Sequence, residues 1–190
     1  MFTPAVQLLI LCNVAVYLAE NLLGFRLIGM LALWPLGPQF RTWQMITYAF
    51  VHGGVAHIVF NMLGLVVFGT DLERVWGGVR FLSCYVLSVL VAAATQLLLA
   101  AATGSTAPTI GASGGVFGLV LAFAMLFPQR RIVLLFPPIP MPAWVFALGY
   151  AVLELALGVT GSEAGVAHFA HLGGMLGAYL YITASRRRWF

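Results

Sequence analysis

Residues 81–102 read FLSCYVLSVLVAAATQLLLAAA, a run of 22 residues without an acidic or basic side chain. A helix that crosses the hydrocarbon core of a bilayer needs about 20 consecutive, mostly apolar residues. This run therefore predicts a membrane-spanning helix. Comparable stretches lie on both sides of it, and the full set of predicted spans is about 5–23, 47–70, 80–102, 112–127, 144–160 and 167–184.

The composition of the 190-residue chain also indicates a membrane protein. Hydrophobic residues make up 62% of it, charged residues 7%, and the mean hydropathy is +1.02. Soluble domains are about 45–50% apolar and about 25% charged. A water-soluble fold of this length could not bury so much apolar surface. We therefore expect an all-α polytopic membrane protein in which residues 1–190 form a single domain, a bundle of six transmembrane helices.

All nine basic residues are arginines, and their placement predicts the orientation of the spans. Two of them, Arg26 and Arg41, lie in the connection after the first span. The others follow the second, fourth and sixth spans: Arg74, Arg80, Arg130, Arg131, Arg186, Arg187 and Arg188. By the positive-inside rule, the arginine-rich side is cytoplasmic, and with it both termini. This placement accounts for the net charge of +4 without a nucleic-acid partner.

Two connections between spans have unusual compositions. The outer one, about 24–45, contains LWPLGPQFRTWQ, and tryptophan favours the headgroup region of a membrane. We therefore expect a partly membrane-embedded loop. The stretch 136–143, FPPIPMPA, holds four prolines, which cannot continue a helix, so it is predicted to be the inner linker between the fourth and fifth spans.

Small residues recur every four positions in the fourth and sixth spans. The pairs are Gly111 and Gly115, Gly114 and Gly118, Gly173 and Gly177, and Gly174 and Ala178. Residues four apart share one helix face, and small residues on that face let two helix backbones approach closely. Because Ser113 and His171 lie in these two spans, we expect both on closely packed helices.

Several polar side chains lie inside the predicted spans, near their outer ends. Polar groups within a membrane span are costly and mark a functional site by default. With the predicted orientation, His57, Ser113 and His171 lie at a similar depth, and Asn61 follows His57 by one helical turn. Three helices are therefore expected to bring a hydroxyl, an amide and two imidazoles together.

This set of side chains predicts serine-protease chemistry. A serine hydroxyl becomes a good nucleophile when a neighbouring base accepts its proton, and imidazole is the usual base. Ser113 is therefore the candidate nucleophile and His171 the candidate base. The oxyanion that forms needs preorganised donors, for which His57, Asn61 and backbone N–H groups near Ser113 are available.

A carboxylate that could orient His171 is not evident from the sequence. The five acidic residues are Glu20, Asp71, Glu73, Glu154 and Glu163. Only Glu154 lies deep within a predicted span, the fifth, and for it we expect a structural or gating role. The sequence therefore predicts a Ser–His dyad and not a triad.

Three motifs resemble those of the rhomboid intramembrane serine proteases, in the six-span form of bacteria and archaea. GASGG at 111–115 resembles the family's Gly-x-Ser-Gly motif, and AHLGG at 170–174 resembles its Ala-His-x-x-Gly motif. HGGVAHIVFN at 52–61 resembles its His-x-x-x-Asn segment. The order of the motifs and the spans that carry them agree, and the likeness covers nearly the whole chain.

The resemblance implies Ser113 as nucleophile, His171 as general base and acid, and His57 with Asn61 as oxyanion donors. It implies an endopeptidase that cleaves single-span membrane proteins near the outer membrane face. The expected partners are such substrates and membrane lipid, with no nucleic acid, no cofactor and no metal. The expected location is a prokaryotic inner (plasma) membrane.

Some positions depart from the family pattern. Gln44 follows Trp43 where the family often has Trp-Arg, which puts a salt bridge tying down the outer loop in doubt. Four residues after Ser113, Phe117 stands where many members have Tyr, and it keeps a stacking surface for the imidazole. The residues expected to shape the cavity or the fold are His52, Phe117, Gly111, Gly114 and Gly174, and His168 is expected to line the water entry.

Other classes of protein fit less well. GASGG also satisfies the nucleophile elbow of α/β-hydrolases, but that motif requires alternating strands and helices. The four histidines could bind zinc, although the His-Glu-x-x-His of zinc proteases is absent. The single aspartate, Asp71, excludes aspartyl intramembrane proteolysis, and the paired acids of an ion-coupled transporter are not evident. The main alternative is a catalytically silent rhomboid-fold protein that binds client membrane proteins.

Overall fold

The computed structural model describes residues 2–133, 137–161 and 166–186. These residues are mostly helical, which confirms the all-α class. The helices are α1 (Pro4–Leu23), α2 (Phe25–Leu31), α3 (Gln44–Thr47), α4 (Val55–Trp76), α5 (Gly78–Thr103), α6 (Ser113–Leu126), α7 (Ala143–Thr160) and α8 (His168–Arg186). A 3₁₀ turn, Tyr48–Phe50, follows α3, and Leu65–Gly69 within α4 is π-helical. Glu163, Arg187 and Arg188, which entered the sequence predictions, lie outside these residues.

Four helices in the described ranges are long and apolar enough to cross a membrane, namely α1, α4, α5 and α7. The chain is therefore an integral membrane protein. Helix α6 is apolar too, but its 14 residues extend only about 21 Å at 1.5 Å per residue. The hydrocarbon core of a bilayer is about 30 Å thick. Helix α6 is therefore too short to span the full hydrocarbon core as the predicted fourth span would.

The second span starts later than the sequence predicted. Helix α4 begins at Val55 and not near residue 47, because residues 44–50 fold into α3 and the 3₁₀ turn and residues 51–54 are not helical. The backbone N–H of His52 in this non-helical stretch donates to both carboxylate oxygens of Glu20 on α1, at 3.2 Å each. His57 consequently lies in the first turn of α4.

The start of α1 is stabilised by an acid from another helix. Pro4 is its first residue, where the missing N–H of proline costs no intrahelical hydrogen bond. The N–H groups of Ala5 and Val6 donate to Oε1 and Oε2 of Glu73, both at 2.9 Å. Because the Glu73 side chain is buried, this pair of hydrogen bonds holds α1 against α4.

The connection between α1 and α4, predicted to lie on the outer side, is held by the buried amide of Gln44. Its Oε1 accepts the N–H of Arg41 at 3.0 Å, and its Nε2 donates to the Gln39 carbonyl oxygen at 3.2 Å. The indole N–H of Trp43 donates to the Met30 carbonyl oxygen at 3.1 Å. A neutral amide therefore ties down the loop for which the sequence put a salt bridge in doubt. Partial embedding of this loop in the membrane stays a prediction.

The inner linker before α7 contains a short β-hairpin, which the sequence analysis did not predict. Strand β1 (Arg131–Val133) pairs antiparallel with β2 (Pro140–Pro142), with Ile132 opposite Met141. Helix α7 begins directly after Pro142. Residues 134–136, which include part of the predicted proline-rich linker, lie outside the described ranges.

Helix α8 packs most extensively against α5 and α6. A Cβ on Gly174 of α8 would overlap the carbonyl oxygen of Gly114 on α6, and one on Gly177 would lie 2.7 Å from the Cα of Ser88 on α5. These positions therefore require glycine, in agreement with the small-residue faces predicted for both helices. The close approach sets the first turn of α6 beside the first turns of α8.

Candidate active site

Ser113 is the first residue of α6, and Gly111 controls the space in front of it. Gly111 has φ +118°, a conformation that residues with a Cβ rarely adopt, and its N–H donates to the Tyr48 carbonyl oxygen at 2.9 Å. A Cβ on Gly111 would lie 2.6 Å from His57 Nε2 and 3.7 Å from Ser113 Oγ. Glycine at this position therefore leaves room between those two side chains.

The structure brings Ser113 and His171 together. The distance from Ser113 Oγ to His171 Nε2 is 2.7 Å, which is hydrogen-bond length. Phe117, one turn further along α6, stacks on the His171 ring with the two centroids 4.3 Å apart and the planes 6° from parallel. The expected stacking of Phe117 on the imidazole is thus present. His171 is held between an aromatic face and a hydroxyl.

The other ring nitrogen of His171 contacts a residue for which the sequence predicted a different role. Glu154 on α7 places Oε2 2.9 Å from His171 Nδ1 and 2.7 Å from His168 Nδ1. The sequence did not predict a carboxylate beside His171, and this contact does not test the structural or gating role expected for Glu154. Glu154, His168 and His171 are all buried, and the expected position of His168 at a water entry stays a prediction.

The Glu154 contact defines the proton positions on the neighbouring rings. A carboxylate oxygen only accepts hydrogen bonds, so with Glu154 ionised each Nδ1 must carry the hydrogen it shares with Oε2. In that tautomer Nε2 of His171 has a lone pair directed at Ser113 Oγ. This is the arrangement in which imidazole can accept the proton of a serine hydroxyl.

His57 and Asn61 are placed differently from each other. His57 Nε2 lies beside Gly111, on the side that faces Ser113. Asn61 is buried one turn further along α4, and its Nδ2 donates to the His57 carbonyl oxygen at 3.0 Å. The structure therefore brings His57 to the site. Asn61 instead forms a hydrogen bond within its own helix, and the second hydrogen of its amide remains available as a donor.

His52 adjoins the site through His57, and its expected role in shaping a cavity stays a prediction. The two rings are in edge-to-face contact with centroids 4.9 Å apart, and His52 Nδ1 lies 3.2 Å from the Phe50 carbonyl oxygen. Burial lowers the pKa of His52, and the neighbouring His57 lowers it further. His52 is therefore neutral at physiological pH.

The four histidines do not form one zinc site. Glu154, His168 and His171 have ligand atoms within 4.8 Å of one another and could by their chemistry hold a metal ion. The Nδ1–Oε2 distances of 2.7 and 2.9 Å are also hydrogen-bond lengths. His52 and His57 form a separate pair of rings in edge-to-face contact.

Glu154 and His168 are the residues whose contacts with each other and with His171 the sequence analysis missed. A signal was present, since an acid within a span is costly unless it is paired, and two histidines three residues apart lie in the next span. Only the rotation of α7 against α8 decides whether the acid faces those histidines. The spacing of polar residues along α7 and α8 does not predict that rotation.

Comparison with known proteins shows which family this chain resembles. A family model for the Rhomboid domain matches residues 39–188. The chain is 35% identical over 140 residues to "Rhomboid protein 1, mitochondrial" of Saccharomyces cerevisiae, covering 73% of this chain and 40% of that protein. It is 32% identical over 151 residues to "RHOMBOID-like protein 12, mitochondrial" of Arabidopsis thaliana, covering 70% and 44%. It is 27% identical over 149 residues to "Rhomboid protease GluP" of Bacillus subtilis, covering 77% and 26%. The chain spans less than half the length of these relatives.

Proposed function

Because this chain belongs to the rhomboid family, we propose that it is an intramembrane serine endopeptidase that cleaves transmembrane segments near the outer membrane face. Ser113 is the nucleophile and His171 its general base and acid. The observation that carries the proposal is the 2.7 Å distance between Ser113 Oγ and His171 Nε2, on two different helices of an apolar bundle. One relative, GluP of Bacillus subtilis, is named a protease, which supports the activity for the family.

In the proposed reaction Ser113 Oγ attacks the carbonyl carbon of the scissile peptide bond, and its proton passes to His171 Nε2 as the new C–O bond forms. His171 then gives this proton to the leaving amine as the C–N bond breaks, which leaves an acyl ester on Ser113. A water molecule adds to the ester and passes one proton to His171. The ester bond breaks, the proton returns from His171 to Oγ, and the cleaved segment leaves as a carboxylic acid that releases its remaining proton to water.

The tetrahedral intermediate carries a negative oxygen that needs hydrogen-bond donors. The first N–H groups of a helix have no intrahelical acceptor, and Ser113 is the first residue of α6. These N–H groups and His57 are the proposed oxyanion donors. Asn61 contributes through the amide hydrogen that is not donated to the His57 carbonyl oxygen. Loss of one such donor typically lowers the rate by about 10²–10³.

The proposed substrates are single-span membrane proteins, and the other partner is membrane lipid, with no nucleic acid and no cofactor. The carbonyl groups of an intact helix are engaged in its own hydrogen bonds, so a substrate must unwind locally before Ser113 can attack. We propose entry beside α7, which packs less extensively than α8 and exposes Leu148, Val152 and Leu155.

We propose that the protein is integral to its membrane and that its arginine-rich side faces the cytoplasm, or the corresponding compartment of an organelle. Two of the relatives named above are mitochondrial proteins and one is from a bacterium. The comparisons therefore lend no support to a prokaryotic plasma membrane in particular, nor to the bacterial or archaeal type of the family.

Labelling with a fluorophosphonate, combined with cleavage of a reporter transmembrane segment, tests the proposal. We expect the purified protein to form an adduct on Ser113 and to cut the reporter. Ser113→Ala and His171→Ala should each lose both reactions by at least about 10³-fold while keeping the helical circular dichroism of the parent.

The matched control is Ser83→Ala, which removes an exposed serine hydroxyl on α5 that donates to the Val79 carbonyl oxygen. It should label and cleave at the parent rate. Cleavage by Ser113→Ala at the parent rate would overturn the assignment. A parent protein that binds the reporter but forms no adduct would instead be the silent client-binding protein.

A further inference from the structure

We propose that Glu154 is a positioning residue for His171, so that the site works as a Ser113–His171–Glu154 triad and not as a dyad. The inference rests on the proposed function, because it assigns a residue to that same reaction. Glu154 touches no reacting atom and acts through the imidazole. The geometry that points to it is the 2.9 Å distance from Glu154 Oε2 to His171 Nδ1, opposite the 2.7 Å distance from His171 Nε2 to Ser113 Oγ.

The first contribution of Glu154 is to select the tautomer. A neutral imidazole carries its hydrogen on one nitrogen, and only the Nδ1–H form leaves Nε2 free to accept the serine proton. A carboxylate beside Nδ1 favours that form because it cannot donate a hydrogen bond itself. With an amide or an apolar side chain at position 154, the Nε2–H form becomes accessible and would donate to Ser113 Oγ, which blocks the base.

The second contribution is to the charge that forms during the reaction. When His171 takes the serine proton, the ring becomes an imidazolium inside a buried cluster, where an unpaired charge is costly. The Glu154 carboxylate is already in contact with that ring, so the proton transfer creates an ion pair and not an isolated cation. The reaction step is therefore favoured by a group that stays in place throughout.

His168 holds Glu154 in position for this task. Its Nδ1 lies 2.7 Å from the same Oε2 atom that contacts His171, and it lies one turn before His171 on α8. The ring of His171 is meanwhile held by the stacked Phe117. The orientation of the imidazole is thus fixed from three directions: by the carboxylate, by the aromatic face and by the serine.

A purely structural alternative exists, because Glu154 also joins α7 to α8. It predicts that removing the carboxylate loosens the bundle without changing the chemistry of His171. Among the residues that the structure describes, the titratable groups around His171 are Glu154 on α7, His168 on α8 itself and His57 on α4, and of these three Glu154 contacts its Nδ1. A pH profile of kcat/KM can therefore separate the two readings.

The variant Glu154→Gln keeps the size of the side chain and removes its charge. We expect kcat for the reporter to fall by about 10²–10⁴-fold with KM changed by less than about threefold, as for loss of the acid of a catalytic triad. The apparent pKa of the base in the kcat/KM profile should fall, since the imidazolium loses its carboxylate partner. The rate of fluorophosphonate labelling of Ser113 should fall in parallel, and Glu154→Asp should restore part of both rates.

Glu73→Gln is the matched control, because Glu73 and Glu154 are equally buried at 6% exposure and Glu73 lies at the inner end of α4. It should lower stability without moving the apparent pKa of the base. If Glu154→Gln keeps the parent kcat and the parent pH profile, the inference fails while the proposed function stands. If the parent protein neither labels nor cleaves, the proposed function itself fails.

A measurement on protein that keeps Glu154 decides the matter even if Glu154→Gln cannot be purified in folded form. ¹⁵N NMR of histidine-labelled Ser113→Ala protein reports the tautomer of each ring without requiring activity. At a pH where His171 is neutral, its hydrogen should reside on Nδ1. A His171 ring with its hydrogen on Nε2 would contradict the inference.

Discussion

His52 shows how a single buried residue can set the pH dependence of the fold. It lies outside the membrane-spanning helices, between the 3₁₀ turn and α4, and burial together with the neighbouring His57 lowers its pKa to about 4. The Phe50 carbonyl oxygen beside Nδ1 acts in the opposite direction but is outweighed. An unfolded chain holds the same histidine near its ordinary pKa of 6.5. Between these two values the unfolded state binds more protons than the folded state.

We therefore predict that the free energy of unfolding falls as the pH drops from about 6.5 to about 4, since the state that binds more protons gains from acid. Unfolding midpoints measured in detergent at several pH values across this window test the prediction. His52→Gln removes the titrating ring, so its midpoint should depend less steeply on pH than that of the parent. Equal slopes for the two proteins would show that His52 is not responsible.

At the scale of one helix, the start of α1 depends on Glu73 at the other end of the second span. The first N–H groups of a helix lack intrahelical partners, and a carboxylate there also interacts favourably with the helix dipole. Glu73 supplies one oxygen to the N–H of Ala5 and the other to that of Val6. Since both α1 and α4 are predicted spans, one side chain joins two membrane helices.

We predict that Glu73→Gln lowers the free energy of unfolding by about 1–3 kcal/mol, because the amide NH₂ faces a backbone N–H and leaves it without an acceptor. Chemical unfolding in mild detergent, followed by circular dichroism, measures the loss. Asp71→Asn is the control, since Asp71 pairs with Arg74 and Arg130 at the surface and such pairs contribute below about 1 kcal/mol. An equal effect of both variants would remove the special role of Glu73.

At the scale of the whole molecule, the position of α8 between α5 and α6 decides whether the candidate site exists. The serine comes from α6 and the histidine from α8, so their 2.7 Å contact depends on how closely the two backbones approach. Gly174 and Gly114 set that approach, because a Cβ on Gly174 would overlap the Gly114 carbonyl oxygen. The contact between Ser113 and His171 therefore depends on the small residues where α6 and α8 meet.

Gly174→Ala should therefore affect stability and reactivity together. We expect a loss of about 1–3 kcal/mol in the free energy of unfolding, as for overpacking in a core. The rate of fluorophosphonate labelling should fall at least tenfold because α6 and α8 are forced apart. Gly149→Ala is the control, since a Cβ there meets nothing within 4 Å. A Gly174→Ala protein with parent stability and labelling would show that the helices can adjust.

The sequence predicted much of the candidate site because its residue types are rare inside membranes. A serine and two histidines in otherwise apolar helices stand out, and the glycines around Ser113 and His171 indicate close backbones. Phe117 was expected to stack on the imidazole and does so. The catalytic roles of these residues stay predictions until labelling and cleavage are measured. The contacts of Gln44 and Glu154 were harder to predict. Those of Gln44 depend on backbone groups of the loop, and those of Glu154 depend on another helix.

The sequence by itself determined the membrane class, the helical architecture and the family, because apolar runs and short motifs are local properties of the chain. Where α4 begins, how Gln44 holds the outer loop and which way Glu154 points were decided only by the tertiary structure. These features depend on helix rotation and on contacts between residues far apart in the chain. An apolar helix such as α7 presents similar side chains on every face, so its own sequence does not specify which face turns towards His171.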